Sequence, residues 1–269
     1  MNYGKWYYRD YFDTLKLDGD GNLMNTNKFN KETDKLKAIS LHSVKEDSVF
    51  ELIPEFTHFE LKTSYPGLLC GIGYHHEINK SERNETNVAN QDQQEDEDGG
   101  AFYQLGMHFD YTSGLPTIPG SSIKGVLKSA IEEWSFWEYK NSNGDWRWKK
   151  EDKDAFLKYV FEGEGLSCYE QDIFLDAVPV ESDSTLFGDD YITPHKHPLK
   201  NPTPIRFLRV NPGVTYRFRF ILKDTKVLVD GKEILFSAEQ KRDLFKEIIL
   251  TFGLGAKTNV GYGRFCECK

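Results

Sequence analysis

A glycine-rich segment near the carboxyl end places the strongest constraint on the fold. It reads Gly253-Leu-Gly-Ala-Lys-Thr-Asn-Val-Gly-Tyr-Gly-Arg-Phe265, with five residues between two Gly-x-Gly pairs. The preceding stretch opens with a capping box, Ser237-Ala-Glu-Gln240, and continues with apolar residues at helical spacing. The segment therefore joins a helix to a last strand over 261–268. It is not a Walker loop, which needs Gly-Lys-Ser/Thr, nor a Rossmann fingerprint, which follows a strand.

The chemistry of this segment suits an anion. Glycines let backbone amides approach a ligand closely, and the polar side chains between them supply charge and hydrogen-bond donors. We therefore predict a cradle for a phosphate backbone, made by Gly253, Gly255, Lys257, Thr258, Asn259, Gly261, Gly263 and Arg264. The alternative is a turn whose glycines serve only its geometry.

A second motif opens the clearest amphipathic helix of the chain. Ile123, Val126, Leu127, Ala130, Ile131 and Trp134 are spaced by three and four residues, after Pro119-Gly-Ser-Ser-Ile-Lys-Gly125. Ser121 or Ser122 is placed to cap the helix, and the free amides of Gly120, Ser121 and Ser122 favour a phosphate there. Lys124 and Lys128 lie one turn apart and would extend the site. The alternative is an ordinary capped helix with a solvated lysine face.

Runs of apolar residues predict strands over 58–62, 68–74, 103–111 and 173–180. Residues 134–165 are predicted to be a helical insertion. A strand–turn–strand unit follows over 205–222, with Arg217 and Arg219 on one face of its second strand, where we expect them to contact RNA. A hairpin turns at Asp230-Gly231. The order of elements predicts an α+β sandwich of ferredoxin-like type.

The charge is unevenly distributed. The chain has 269 residues and a net charge of −9, which alone argues against nucleic acid, but residues 200–269 hold 14 basic and 7 acidic side chains. Much of the acidity lies in 79–100, which we predict to be a flexible inserted loop. Residues 1–55 are weakly patterned and predicted to be an N-terminal extension of a domain over 56–269. No signal peptide or membrane span is apparent, so we expect a cytoplasmic protein without a membrane partner.

Together and in this order, the two motifs resemble the RAMP superfamily of CRISPR systems. The glycine-rich segment, Pro119-Gly-Ser-Ser-Ile-Lys-Gly125 and the Asp176-Ala-Val-Pro179 strand are most similar to the sixth-subunit family of type III-B (Cmr) effector complexes. The resemblance covers roughly residues 56–269. It implies a fold related to the RNA-recognition motif and a noncatalytic role in gripping guide RNA near its 3′ end. The implied partners are guide RNA, target RNA and other Cmr subunits.

Two other functions remain open from the sequence. Endonucleases that process guide RNA occur in the same superfamily, and one of the seven histidines could act as a general base, although none lies in a recognisable catalytic arrangement. A small-molecule enzyme with a nucleotide site would also use a glycine loop. Cys266-x-Cys268 with His195-x-His197 does not fit the usual zinc spacing, so we expect no metal site. We also expect no cofactor and no catalytic residue.

Overall fold

The computed structural model describes residues 2–13, 16, 18, 24, 26–42, 52–73, 103–134, 136, 148–193 and 204–268, with only the backbone of 26–30. The predicted acidic loop over 79–100 lies outside these residues, as does the 137–147 part of the predicted helical insertion. The described part of that insertion is helical, with a 3-10 turn at Lys150–Asp152, an α turn at Lys153–Phe156 and a π turn at Leu157–Phe161.

Three long helices and nine strands organise the described residues. The helices are α1 Thr26–Lys37, α2 Gly120–Glu132 and α3 Ala238–Phe252. The strands are β1 Phe56–Thr63, β2 Ile173–Phe174, β3 Val178–Ser182, β4 Phe187–Ile192, β5 Ile205–Val210, β6 Val214–Ile221, β7 Thr225–Val229, β8 Lys232–Phe236 and β9 Phe265–Glu267. The predicted α+β class is confirmed at this level, with helices and antiparallel sheets in one chain.

The main sheet is antiparallel and has β6 and β1 at its centre. β9 pairs with the outer edge of β1, and β2 and β3 pair one after the other with the outer edge of β6. The pairing of Phe59 with Phe218 puts the apolar residues of both strands on one face. That face meets α3, where the Phe220 and Phe245 rings lie 5.8 Å apart. This contact shows that the sheet and α3 share one core. Burying each such side chain contributes about 1.5–3 kcal/mol to the free energy of unfolding.

The described N-terminal residues belong to this same core. The rings of Tyr7 and Tyr11 are fully buried, and the Tyr7 hydroxyl donates a hydrogen bond to the Leu105 carbonyl. After α1, the amide of Leu186 donates to the carbonyl of Ile39 at 2.6 Å. The division at residue 55 stays a prediction, but the described part of the extension packs as tightly as the domain it was predicted to surround.

Several local predictions for the carboxyl-terminal third are confirmed. β7 and β8 form the hairpin, and its two turn residues Asp230 and Gly231 both have positive φ, as a type I′ turn requires. The Ser237 side chain accepts a hydrogen bond from the Gln240 amide, which caps α3. Gly253 ends that helix with φ of 74°.

The predicted strand–turn–strand unit over 205–222 is wrong in its pairing. β5 and β6 exist, but β5 pairs with β4 in a separate two-stranded sheet, whereas β6 pairs with β1. The turn between them sends the chain from one sheet to the other. Its Asn211 amide group donates to the Phe187 carbonyl, and the Gly213 amide donates to the Thr63 carbonyl, so each side of the turn is bound to a different sheet.

The strands predicted over 68–74 and 103–111 are reduced to isolated bridges. Leu68 bridges Val210 and Leu105 bridges Phe207, both on β5, while Phe109 bridges Pro116, and none of the three continues as a ladder. Gly67 and Gly71 have positive φ, which bends the first segment away from an extended path. These two segments therefore cross β5 rather than run beside it.

A buried ion pair fixes the base of α3 to the sheet. The Lys241 ammonium contacts the Asp172 carboxylate, with side-chain exposures of 0% and 1%, and also lies 3.2 Å from the Thr225 hydroxyl oxygen. Burial raises the pKa of Asp172 and lowers that of Lys241, and each charge opposes the shift of the other. Each group is therefore costly to leave alone in the core.

We expect Lys241→Met to lower the free energy of unfolding by about 3–5 kcal/mol, because it leaves a buried carboxylate without its counter-charge. The double variant Asp172→Leu/Lys241→Met should recover most of that loss. Lys246→Met is the matched control, because Lys246 lies on the same helix and pairs with Glu267 at the surface, with side-chain exposures of 31% and 64%. Urea denaturation measures all three. A Lys241→Met variant as stable as Lys246→Met would contradict the assignment.

Candidate functional site

The glycine-rich segment folds as a compact loop between α3 and β9. A 3-10 turn covers Thr258–Val260, and it is preceded by Lys257 in the left-handed region with φ of 59°. Gly261 follows the turn with φ of 102°. The tip is open to solvent, since Asn259 and Val260 are exposed and Lys257 and Thr258 are half-buried.

Three of the loop glycines are required by the protein itself. A Cβ on Gly263 would lie 1.8 Å from the Leu254 carbonyl oxygen, and one on Gly253 would lie 2.3 Å from the Gly263 carbonyl oxygen. A Cβ on Gly255 would lie 2.2 Å from the Leu69 carbonyl oxygen. Only Gly261 has room, with the Pro66 side chain 3.4 Å away. Gly255 thus allows the loop to cross the 67–70 segment at backbone contact, and Gly253 and Gly263 allow the two ends of the loop to meet, whether or not a ligand is bound.

The loop amides divide into three groups. Those of Leu254, Ala256 and Gly263 donate to backbone carbonyls at 2.8–2.9 Å and hold the crossing together. Those of Val260, Gly261 and Tyr262 donate to the carbonyls of Lys257 and Thr258 and close the 3-10 turn. Those of Gly255, Lys257, Thr258 and Asn259 have no acceptor among the residues that the structure describes. These amides and the Lys257 ammonium at one exposed loop can therefore bind an anion such as a phosphate.

Two other loop side chains, those of Arg264 and Tyr262, contact the protein. Arg264 donates to the Thr251 carbonyl at the end of α3, which places its positive charge at the negative end of that helix. The Tyr262 hydroxyl donates to Asp190 at 2.6 Å, and burial followed by this carboxylate raises the pKa of Tyr262. Arg264 thus has a structural contact in addition to any role in binding.

The start of α2 differs from the predicted arrangement. Pro119 stands at the N-cap position, and neither Ser121 nor Ser122 caps the helix, so that prediction is wrong. Instead the Gly120 amide donates to the Asp176 carboxylate at 2.8 Å. The cap comes from a different strand connection, which local spacing does not reveal. A carboxylate therefore already occupies the position where we predicted a phosphate.

The predicted cations around α2 and β6 differ in their surroundings. Lys128 pairs with Glu162 at 2.9 Å, which raises the pKa of Lys128, and Arg217 pairs with Glu60 at 2.7 Å. Arg219 donates twice to the Asp176 carbonyl, at 2.9 and 3.0 Å. Lys124 lies 5.6 Å from the centre of the Phe174 ring and has no ion-pair partner among the described residues.

Backbone hydrogen bonds connect the two predicted motifs without direct contact between them. The Ala256 amide donates to Leu69, the His108 amide to Cys70 and the Thr117 amide to His108, at 2.8, 2.9 and 3.3 Å. The glycine loop and the approach to α2 are thus joined through the 67–71 and 108–117 segments. Two residues near the loop had no signal in the sequence. These are Tyr65, in the turn after β1, and Arg209, on β5.

Catalytic and metal chemistry finds little support in the described part of the chain. His108 is half-buried, and its Nδ1 lies 3.2 Å from the Thr117 carbonyl oxygen. His75, His76, His195 and His197 lie outside the described residues. Within those residues, no three His, Cys, Asp or Glu side chains cluster as metal ligands, and no helix is long and apolar enough to cross a membrane.

Comparison with known proteins defines the class. Residues 60–266 match the RAMP superfamily, so the chain belongs to that superfamily, as its two motifs predicted. It is similar to the CRISPR system CMR subunit Cmr6 of Saccharolobus solfataricus, with 31% identity over 172 residues. That alignment covers 62% of this chain and 50% of the relative, so the chain spans about half the length of the curated protein it matches. The predicted likeness to the sixth Cmr subunit is confirmed.

Two solved structures are also similar. One is the cryo-EM structure of the type III-B Cmr-beta bound to cognate target RNA, with a TM-score of 0.48 and 24% identity over 91% of this chain and 66% of that chain. The other is the crystal structure of Cmr6 from Pyrococcus furiosus, with a TM-score of 0.41 and 20% identity over 81% of this chain and 100% of that chain.

We expect Gly263→Ala to destabilise the chain by several kcal/mol, because φ is 67° and the new Cβ would overlap the Leu254 carbonyl oxygen. Gly125→Ala is the matched control. Gly125 is exposed within α2, and its Cβ would meet nothing within 4 Å, so this variant should gain about 0.5–1 kcal/mol. Thermal unfolding without any ligand measures both. Equal stability of the two variants would show that the close approach of the Leu254 carbonyl is not what requires Gly263.

Proposed function

We propose that the chain is a noncatalytic RNA-binding subunit of a type III-B Cmr effector complex. In this role it grips guide RNA near its 3′ end and supports target-RNA binding in antiviral defence. The proposal is supported by membership of the RAMP superfamily and by the similarity to a Cmr6 protein. The observation that carries it is the loop tip, where the Gly255 and Lys257 amides have no acceptor among the described residues.

The proposed fold is ferredoxin-like. In chain order the main sheet and its two helices run β1, α2, β2 with β3, β6, α3 and β9, a βαββαβ succession. Their antiparallel order, with β6 and β1 central and β9 beside β1, suits this topology. The β4–β5 sheet and the β7–β8 hairpin are then additions to it.

Phosphate contacts account for the expected mode of binding. A guide RNA varies in sequence from one copy to the next, so a subunit that holds its end must contact the sugar-phosphate chain more than the bases. The Lys257 ammonium, together with the free amides of Gly255 and Lys257 at the loop tip, provides such a contact. Lys124, and the exposed hydroxyl groups of Ser121 and Ser122, provide a second one across the 67–71 and 108–117 segments. Other Cmr subunits would hold the same RNA on either side.

Neutralising the proposed phosphate contacts should weaken binding to all RNA sequences alike. We expect Lys257→Gln, Arg264→Gln and Lys124→Gln each to reduce the slope of log K against log salt by about 0.7 for single-stranded RNA. Base preference should not change. The control is Lys232→Gln, since Lys232 is an exposed cation on the β7–β8 hairpin outside the proposed site. RNA titrations of the purified chain at several salt concentrations measure the slope.

The variant that carries all three substitutions, Lys257→Gln, Arg264→Gln and Lys124→Gln, gives the decisive result. If its affinity and salt slope equal those of Lys232→Gln, the loop is a structural turn and the proposed RNA grip fails. Folding of each variant is checked by thermal unfolding, because Lys124, Lys257 and Arg264 are half-buried and Arg264 also donates to the Thr251 carbonyl.

The noncatalytic role has its own test. We expect His108→Gln to leave RNA cutting by the assembled complex unchanged, because this imidazole contacts the Thr117 carbonyl and belongs to no acid–base pair within the described residues. Cutting is measured on guide-matched RNA with wild-type and variant complexes of equal subunit content. A large loss of cutting with assembly preserved would instead support a nuclease.

A further inference from the structure

Tyr65 is an aromatic ring presented to solvent beside the glycine loop. It follows the end of β1, and 83% of the residue is exposed. A large aromatic side chain left in water points to a binding role when the backbone around it is held in place. A Cβ added to Gly261 would meet the side chain of Pro66, the next residue, at 3.4 Å, and Tyr65 makes a minor electrostatic contribution to the raised pKa of Tyr262. The turn that carries the ring therefore lies beside Gly261, and the ring itself is open to solvent.

Three contacts fix the turn that carries this ring. The Ser64 amide donates to the Arg264 carbonyl, and the Gly263 amide donates to the Gly67 carbonyl, each at 2.8 Å. Arg209 donates from Nη1 to the Pro66 carbonyl at 2.6 Å, on the other side of the turn. The backbone on both sides of Tyr65 is thus bound to the glycine loop or to β5. A ring on a fixed turn loses little conformational entropy when it binds a planar ligand.

The surroundings of Tyr65 combine a flat apolar face with anion-binding groups. The loop provides the Lys257 ammonium and the Gly255 and Lys257 amides, and Asn259 is exposed beside them. Single-stranded RNA matches both features, because a nucleotide offers a base to stack and a phosphate to bind. An acidic peptide would use the charges but would gain nothing specific from an exposed ring.

We propose that Tyr65 is a stacking platform for an unpaired base of single-stranded RNA whose backbone lies on the glycine loop. This inference rests on the proposed RNA-binding function and adds to it the residue that contacts a base. Stacking on an aromatic ring does not depend strongly on which base is present, so the platform suits a guide of variable sequence.

The chain offers a matched control for this ring. Tyr169 is 86% exposed, but it lines a groove with Glu55 and Phe56 at the start of β1, whereas Tyr65 follows its end. β1 is eight residues long, roughly 25 Å, so Tyr65 and the groove that holds Tyr169 lie near opposite ends of this strand. Loss of Tyr169 therefore removes an equally exposed ring far from the glycine loop.

The experiment compares Tyr65→Leu, Tyr65→Phe and Tyr169→Leu in the full-length chain, with fluorescently labelled single-stranded oligouridine as the probe. We expect Tyr65→Leu to bind about 5- to 100-fold more weakly, with an unchanged salt slope, because stacking releases no counterions. Tyr65→Phe and Tyr169→Leu should bind as the wild type does. An abasic oligomer of the same length should bind wild type and Tyr65→Leu equally.

The possible failures are distinguishable. If the wild-type chain binds no RNA, the proposed function fails and this inference with it. If it binds and Tyr65→Leu matches Tyr169→Leu, only the stacking role is overturned. Loss of assembly with other subunits in Tyr65→Leu, with RNA affinity intact, would make the ring a protein contact and also overturn the proposal. Thermal unfolding confirms that each variant is folded.

Discussion

The crossing of the glycine loop over the 67–70 segment is the contact on which the site depends. At Gly255 the loop lies so close to the Leu69 carbonyl that no side chain fits between them, and at Gly263 the loop lies equally close to its own Leu254 carbonyl. Hydrogen bonds from the backbone amides of Ala256 and Gly263 to the carbonyls of Leu69 and Gly67 then join the loop to this segment. These bonds leave amides at the loop tip, Gly255 and Lys257 among them, without an acceptor in the described part of the chain. A rigid support and the tip that we propose binds a phosphate thus come from the same run of residues.

Charge pairing explains how a chain with a basic carboxyl-terminal quarter can still be selective about where an anion binds. Arg217, Lys128 and Arg206 each contact a carboxylate, from Glu60, Glu162 and Asp189 respectively. Such pairs reduce the field that a distant phosphate experiences, and the Debye length of about 8 Å at physiological ionic strength reduces it further. On the proposed function, binding is then directed to the few places where a cation and free donors coincide, rather than spread over a basic face.

The sequence predicts features that a few neighbouring residues determine. The cap at Ser237, the end of α3 at Gly253 and the hairpin turn at Asp230-Gly231 all depend on short-range backbone geometry, and all three are confirmed. Long-range pairing was less accessible. β5 and β6 look like a hairpin locally, yet they join different sheets because Asn211 and Gly213 bind to Phe187 and Thr63, which are distant in sequence. Tyr65 and Arg209 carry no pattern of their own and become notable only through the fold.

Asp176 illustrates how a distant residue changes the meaning of a local motif. Its carboxylate accepts from the Gly120 amide, and its carbonyl accepts from Arg219, so one residue joins α2 to β6. A Cβ on Gly120 would lie 2.1 Å from the Phe174 carbonyl oxygen, which shows that this glycine serves the same close packing. With a negative charge already at the first amide of α2, a second anion there would be repelled unless it lay further out. On the proposed function, RNA at this end of the site contacts the exposed serine hydroxyl groups and Lys124 rather than the helix terminus. We therefore propose that the stronger anion contact is at the glycine loop.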